Sequence, residues 1–174
     1  MGYTAEYLKQ MVILREQMRP PNLVTKYSCF EAFILKEGKE FTYRSRPSNI
    51  KKMPDRHCYK NAFDLCLENH LTYVEGFATA VIPVQHAWCV DSDGFVIDPT
   101  WNDGQDYIGV ALPKELVIAT VFRRETHGVI DDWQHEWPIL RLGLSEVIEL
   151  FKEGRFDEIF GEEKKRGERS KIRA

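Results

Sequence analysis

His86, Ala87, Trp88, Cys89, Val90, Asp91, Ser92, Asp93, Gly94, Phe95, Val96, Ile97 and Asp98 make up the stretch whose reading decides this fold. A strand is expected over 86–90, a turn at Ser92, Asp93 and Gly94, and a second strand over 95–98. A three-residue hairpin loop with Gly94 in the left-handed position pairs Asp91 with Phe95, and therefore Trp88 with Asp98. On that register His86 and Asp98 share one face as diagonal neighbours, within side-chain reach. A loop one residue shorter or longer would put them on opposite faces.

Upstream, a helix is expected to start between Asp55 and Cys58 and to run to about Glu68 or Asn69. Ala62, Phe63, Leu65, Cys66 and Leu67 surround most of its circumference with apolar groups, the pattern of a helix buried between layers. Cys58 stands in the first turn, where unpaired backbone N–H groups and the helix dipole favour a thiolate. The same N–H groups are placed to donate to an oxyanion. Free cysteines are also common as inert core residues. Cys66, deeper in the helix, fits that description better than Cys58.

Over 73–81 the pattern has period two, with Gly76, Ala78 and Ala80 on one face and Tyr73, Glu75, Phe77 and Thr79 on the other. The small face is expected to lie against the buried helix, and Glu75 on the exposed face. Tyr7, Leu8, Met11, Leu14 and Met18 recur at helical spacing before Pro20 and Pro21, and a second helix is expected over 28–38. After Pro113, proline at a first turn favours helix, whereas Val117, Ile118, Thr120 and Val121 favour strand; helix is preferred. Ser145 is read as the cap of a last helix. Residues 44–56 form a basic extended loop, either plainly solvated or holding an anionic group beside Cys58.

At 174 residues, 43% hydrophobic and 29% charged, the chain has room for one domain with a real core. Residues 1–160 are read as that domain and 161–174 as a charged, frayed tail. A formal charge of −3 argues against a generally nucleic-acid-binding surface. No apolar run approaches a membrane span, and the N-terminus does not read as a signal peptide. Reduced thiols at Cys29, Cys58, Cys66 and Cys89 in a cytoplasmic compartment are therefore expected. A mixed metal site of Cys58, Cys89, His57 and His86 is conceivable, but its spacing matches no standard pattern, and no metal or cofactor is expected.

Cys58-Tyr-Lys-Asn-Ala, then Tyr73-Val-Glu-Gly-Phe-Ala, His86-Ala-Trp and Val96-Ile-Asp-Pro-Thr-Trp101 together resemble the transglutaminase-like branch of the papain-like cysteine enzymes. The similar stretch covers roughly 45 residues of 174 and extends to uncharacterised bacterial and phage proteins. The resemblance implies a cysteine at the start of a helix packed on an antiparallel sheet, with histidine and aspartate on adjacent strands. It makes Cys58 the nucleophile, His86 the base and Asp98 the orienting acid. Tyr59 stands where the family commonly carries tryptophan, and no upstream side chain is evident for the oxyanion hole beyond Asn49 and Gln85.

The fold expected is therefore α+β: a buried cysteine-bearing helix on a small antiparallel sheet, flanked by N- and C-terminal helices. The function expected is a thiol hydrolase or acyltransferase acting on an amide-type bond of a peptide, protein or small molecule. Tyr59, Glu75, Trp88 and Trp101 are the candidate substrate contacts. His57, His70, His127 and His135 are given no role, and Asp131, Asp132, Trp133 and Trp137 are read first as packing residues. The alternative is a catalytically silent binding or phage-accessory protein on the same scaffold.

Overall fold

In the computed structural model, residues 2–20, 22, 24–132 and 136–161 are described. The fold mixes helix and sheet. Its elements run α1 (Tyr3–Gln17), α2 (Phe30–Glu37), β1 (Lys39–Tyr43), α3 (Cys58–Glu68), β2 (Thr72–Thr79), β3 (Pro83–Val90), β4 (Phe95–Ile97), β5 (Asp106–Ala111), α4 (Lys114–Arg124), α5 (Pro138–Leu142), α6 (Leu144–Lys152) and α7 (Phe156–Phe160). The sheet is a closed five-stranded barrel in the order β1-β4-β3-β2-β5 rather than a small antiparallel sheet, and its β1–β4 pair is parallel. Closure needs β1 and β5, neither of which was anticipated. β1 buries only Phe41 on the barrel's inner side, so its sequence carries almost no strand pattern.

The barrel separates two apolar clusters. Phe41, Val74, Ala78, Trp88, Val90, Val96 and Tyr107 fill the lumen. Tyr73, Phe77, Ala87 and Cys89 point outward into a larger cluster with Ala62, Phe63 and Cys66 of α3, Phe33 and Ile34 of α2, and Leu116 and Val117 of α4. A five-stranded barrel is too narrow for a channel, so side chains fill it. Trp88 does most of this, and it fits because Gly109 faces it. A Cβ there would lie 2.7 Å from the Trp88 ring and 2.6 Å from the Glu75 carbonyl oxygen.

The α3 helix packs on the outward side of β2 and β3, where the Cys89 thiol donates to the Ala62 carbonyl at 3.2 Å. The small face of β2, with Gly76 and Ala78, turns into the barrel instead of toward the helix, the reverse of the sequence expectation. The helix also keeps a wet face, since Lys60, Leu67 and Glu68 are exposed and Lys60 pairs with Asp64. Its last turn is held by Lys114, whose ammonium donates to the Cys66 carbonyl at 2.8 Å. Helix wins over strand at α4, because Leu116, Val117, Thr120 and Val121 fall at helical spacing and are all buried. Gly143 precedes α6 as its cap, so Ser145 lies inside the helix rather than ahead of it.

Candidate functional site

The hairpin takes the register expected from its loop. Cys89 pairs with Ile97 and Val90 with Val96, and the Asp91 N–H donates to the Phe95 carbonyl at 3.1 Å. Gly94 makes the turn with a φ of 84°. As a result His86 Nε2 and Asp98 Oδ2 lie 2.7 Å apart, both residues being essentially inaccessible to solvent. The same Asp98 oxygen accepts the Tyr107 hydroxyl at 2.9 Å. Its other oxygen accepts the backbone N–H groups of Thr100 at 2.7 Å and Trp101 at 3.0 Å. The Asp98-Pro99-Thr100-Trp101 motif is thus a turn that wraps its own carboxylate. Burial works to raise the Asp98 carboxyl, but the His86 bond and these N–H donors outweigh it and hold it below the usual carboxylate range.

His86 shows the complementary balance. Burial alone would discharge the imidazole, yet hydrogen bonding to Asp98 and to Cys58 carries it up to about 9. Nε2 is committed to Asp98, which leaves Nδ1 as the nitrogen facing the thiol. The Trp101 ring lies flat on the imidazole, with centroids 3.9 Å apart and planes 16° apart. This stacking fixes the ring plane and favours the charged form by about 0.5–2 kcal/mol.

Cys58 begins α3, half-buried, at the helix end that no side chain caps. Its first-turn N–H groups therefore point outward beside the thiol. Two residues earlier Arg56 takes a left-handed φ of 65°, turning the chain sharply into the helix. Burial pushes the Cys29, Cys66 and Cys89 thiols up, so those three are protonated spectators.

Sequence reasoning overlooked the groups that lock these parts together. Asn61, one turn after Cys58 and 2% exposed, donates through Nδ2 to the Pro54 carbonyl at 2.7 Å and to Thr100 Oγ1 at 2.9 Å. It ties the thiol's helix to the turn that wraps Asp98. Arg46 donates to the carbonyls of Ile50 and Asp98, each at 3.1 Å, so this member of the basic loop braces the same turn from outside. Arg44 pairs with Asp91 and Lys52 with Asp55, so much of the loop's charge is spent within the protein. Asn61 and Arg46 gave no signal, because a lone Asn or Arg reads as surface until its partners are known. Tyr107 was hidden with the rest of β5.

Two of the four candidate substrate contacts move. Glu75 is fully buried rather than exposed, because residues 127–130 cover that face of β2. Trp88 is fully buried in the lumen and cannot line a cleft. Trp101 remains half-exposed, as the cover over His86. Tyr59 is half-buried beside Cys58, Glu75 and Asp131; burial first, then those charges, push its hydroxyl well above its ordinary value. Of the oxyanion candidates, Asn49 is exposed, while Gln85 already donates to Asp131 at 3.1 Å. Asp131 also accepts the Trp137 indole N–H at 2.9 Å, and Asp132 pairs with buried Arg124. Trp133, His135 and residues 162–174 lie outside the described residues.

The mixed metal site does not assemble: among the described residues no three His, Cys, Asp or Glu side chains are grouped to hold an ion. Nor is any described helix long and apolar enough to cross a membrane. No protein-family model, curated protein or solved structure matches this chain.

Proposed function

We propose that this protein is a cysteine-dependent hydrolase or acyltransferase acting on an amide-type bond. The observation that carries this reading is the buried, four-donor Asp98 holding His86 by Nε2 while the other side of the imidazole meets Cys58. A nucleophile, its base and a third group that orients the base are the requirements of thiol catalysis. In the proposed reaction His86 Nδ1 takes the Cys58 proton, and the thiolate attacks the carbonyl carbon. The first-turn N–H groups of α3 receive the resulting oxyanion. The imidazolium then gives its proton to the departing amine, leaving a thioester on Cys58. Water or an acceptor amine, deprotonated by His86, attacks the thioester and releases the acid or the new amide. Peptide, protein and small amides all fit this chemistry, and the unpaired thiols agree with a reducing, cytoplasmic setting.

Incubating the protein with peptide p-nitroanilides, with and without a biotinylated primary amine, tests the proposal by intact mass and released chromophore. Turnover, or a mass adduct that Cys58→Ser abolishes, is expected. Neither adduct nor turnover across the panel would contradict it and move the reading to a binding protein on the same scaffold.

A further inference from the structure

Glu75 is buried on the outward side of β2, and its partners are all donors or neutral groups. Oε1 accepts the Val129 N–H at 2.7 Å, and Oε2 accepts the Ile130 N–H at 2.9 Å. Tyr73 Oη lies 2.8 Å from Glu75 Oε1 and 3.0 Å from the His127 carbonyl oxygen. A phenol has one hydrogen, so with an ionised Glu75 only one of those two contacts can be a hydrogen bond. A protonated Glu75 satisfies both, because it donates to Tyr73 and frees the Tyr73 hydrogen for His127.

We propose that Glu75 is carried as a neutral carboxylic acid at the head of this relay, and that losing its proton releases residues 127–131 from β2. Among the described residues no lysine or arginine pairs with it. The ionisable groups around it are Tyr73 on its own strand, Tyr59 from α3 and Asp131 from the covering segment, with Cys58 next to the two tyrosines. His127 presents its carbonyl here, while its imidazole packs edge-on to Phe63, and burial lowers its basicity. β5 offers Val110 and β3 offers Ala87 at the paired positions, neither ionisable.

The electrostatic balance agrees with the proton count. Burial pushes the Glu75 carboxyl up to about 7, against the Ile130, Tyr73 and Val129 donors, and Asp131 adds to the rise. Where residues 127–131 lift away, Glu75 meets water and regains an ordinary carboxyl, so opening is coupled to proton loss. Asp131 rides on this segment and holds Gln85, the neighbour of His86, so the opened form would bare the flank of Tyr59 and Cys58. Glu75 behaves this way whether or not Cys58 turns over.

Amide hydrogen exchange at Val129 and Ile130, corrected for intrinsic rates, tests the proposal, with Val74 as a core control. Between pH 5.5 and 8.5 the opening equilibrium should rise about thirtyfold in the wild type. Glu75→Gln, which has no proton to lose, should abolish that rise. An unchanging wild type, or a Glu75→Gln protein that opens just as steeply, would overturn the proposal. Should the variant fail to fold, carboxyl carbon NMR of wild-type Glu75 decides: a midpoint near 7 supports it, and one below about 5 overturns it.

Discussion

Asp98 and Glu75 are buried carboxylates at two corners of one small barrel, and their surroundings push them in opposite directions. Asp98, at the lumen end, accepts four hydrogen bonds, one of them from an imidazole whose basicity is raised to about 9. Glu75, on the outward side, accepts two backbone N–H groups and shares a hydrogen bond with the Tyr73 phenol, and among the described residues no cation pairs with it. Donors alone lose to burial at Glu75, raising it to about 7; donors plus a cation win at Asp98 and hold it low. A buried carboxylate keeps its charge where a paired cation completes the set.

The same chemical edit at both corners should therefore give contrasting results. Asp98→Asn removes the charge that holds the imidazolium. Cys58 alkylation at pH 6 should fall by two to four orders of magnitude, on the order of the loss when a triad aspartate becomes asparagine. Glu75→Gln should flatten the fall in stability between pH 6 and pH 8, in urea unfolding. Cys58 alkylation that falls as far in Glu75→Gln as in Asp98→Asn would erase the contrast between the corners.

Next in size is Asn61→Ala, which cuts the tie between the α3 start and Thr100. It should cost about 2 kcal/mol in unfolding free energy, because it leaves buried partners unpaired. Cys58 reactivity should fall with it, and Thr100→Val should reproduce part of both effects.

The pH dependence of stability separates the two corners without mutation at the site. His86, raised to about 9, contributes stability that is complete below its unfolded value near 6.5 and is lost as pH climbs through 9. Asp98, lowered, contributes stability present above about 4 and lost in acid. Glu75, raised, loses stability between its unfolded value of 4.5 and about 7. Thermal midpoints should then be highest near pH 4.5–6 and decline toward pH 9. Glu75→Gln should remove only the early part of that decline.

The smallest effect is expected from Tyr107→Phe, about 1 kcal/mol. It leaves Asp98 Oδ2 to His86 alone, so the loss of the imidazolium should move to higher pH, readable as an NMR titration of the ring.

Local features of this site were legible in the sequence, and long-range ones were not. Gly94 in a three-residue loop is a local constraint, and it sets which face His86 and Asp98 share. The helix start at Cys58 and the proline-led start of α4 are local in the same way. The barrel depends on β1 meeting β4 and β5, pairings between distant segments of which β1 buries a single residue. Without it the two faces of β2 were assigned to the wrong neighbours, and Glu75 was placed in water. Asn61 reaches Thr100 across 39 residues, Arg46 reaches Asp98 across 52 and Tyr107 reaches it across nine, so their own spacing carries no sign of the role.

The pH profile of Cys58 alkylation by iodoacetamide, read by peptide mapping in wild type and His86→Ala, decides whether His86 activates the thiol. Cys29, Cys66 and Cys89 serve as slow internal controls, since burial keeps them protonated. Cys58 labelling should stay fast well into the acid range and collapse in the variant. Labelling that follows an ordinary thiol titration and ignores His86 would contradict it.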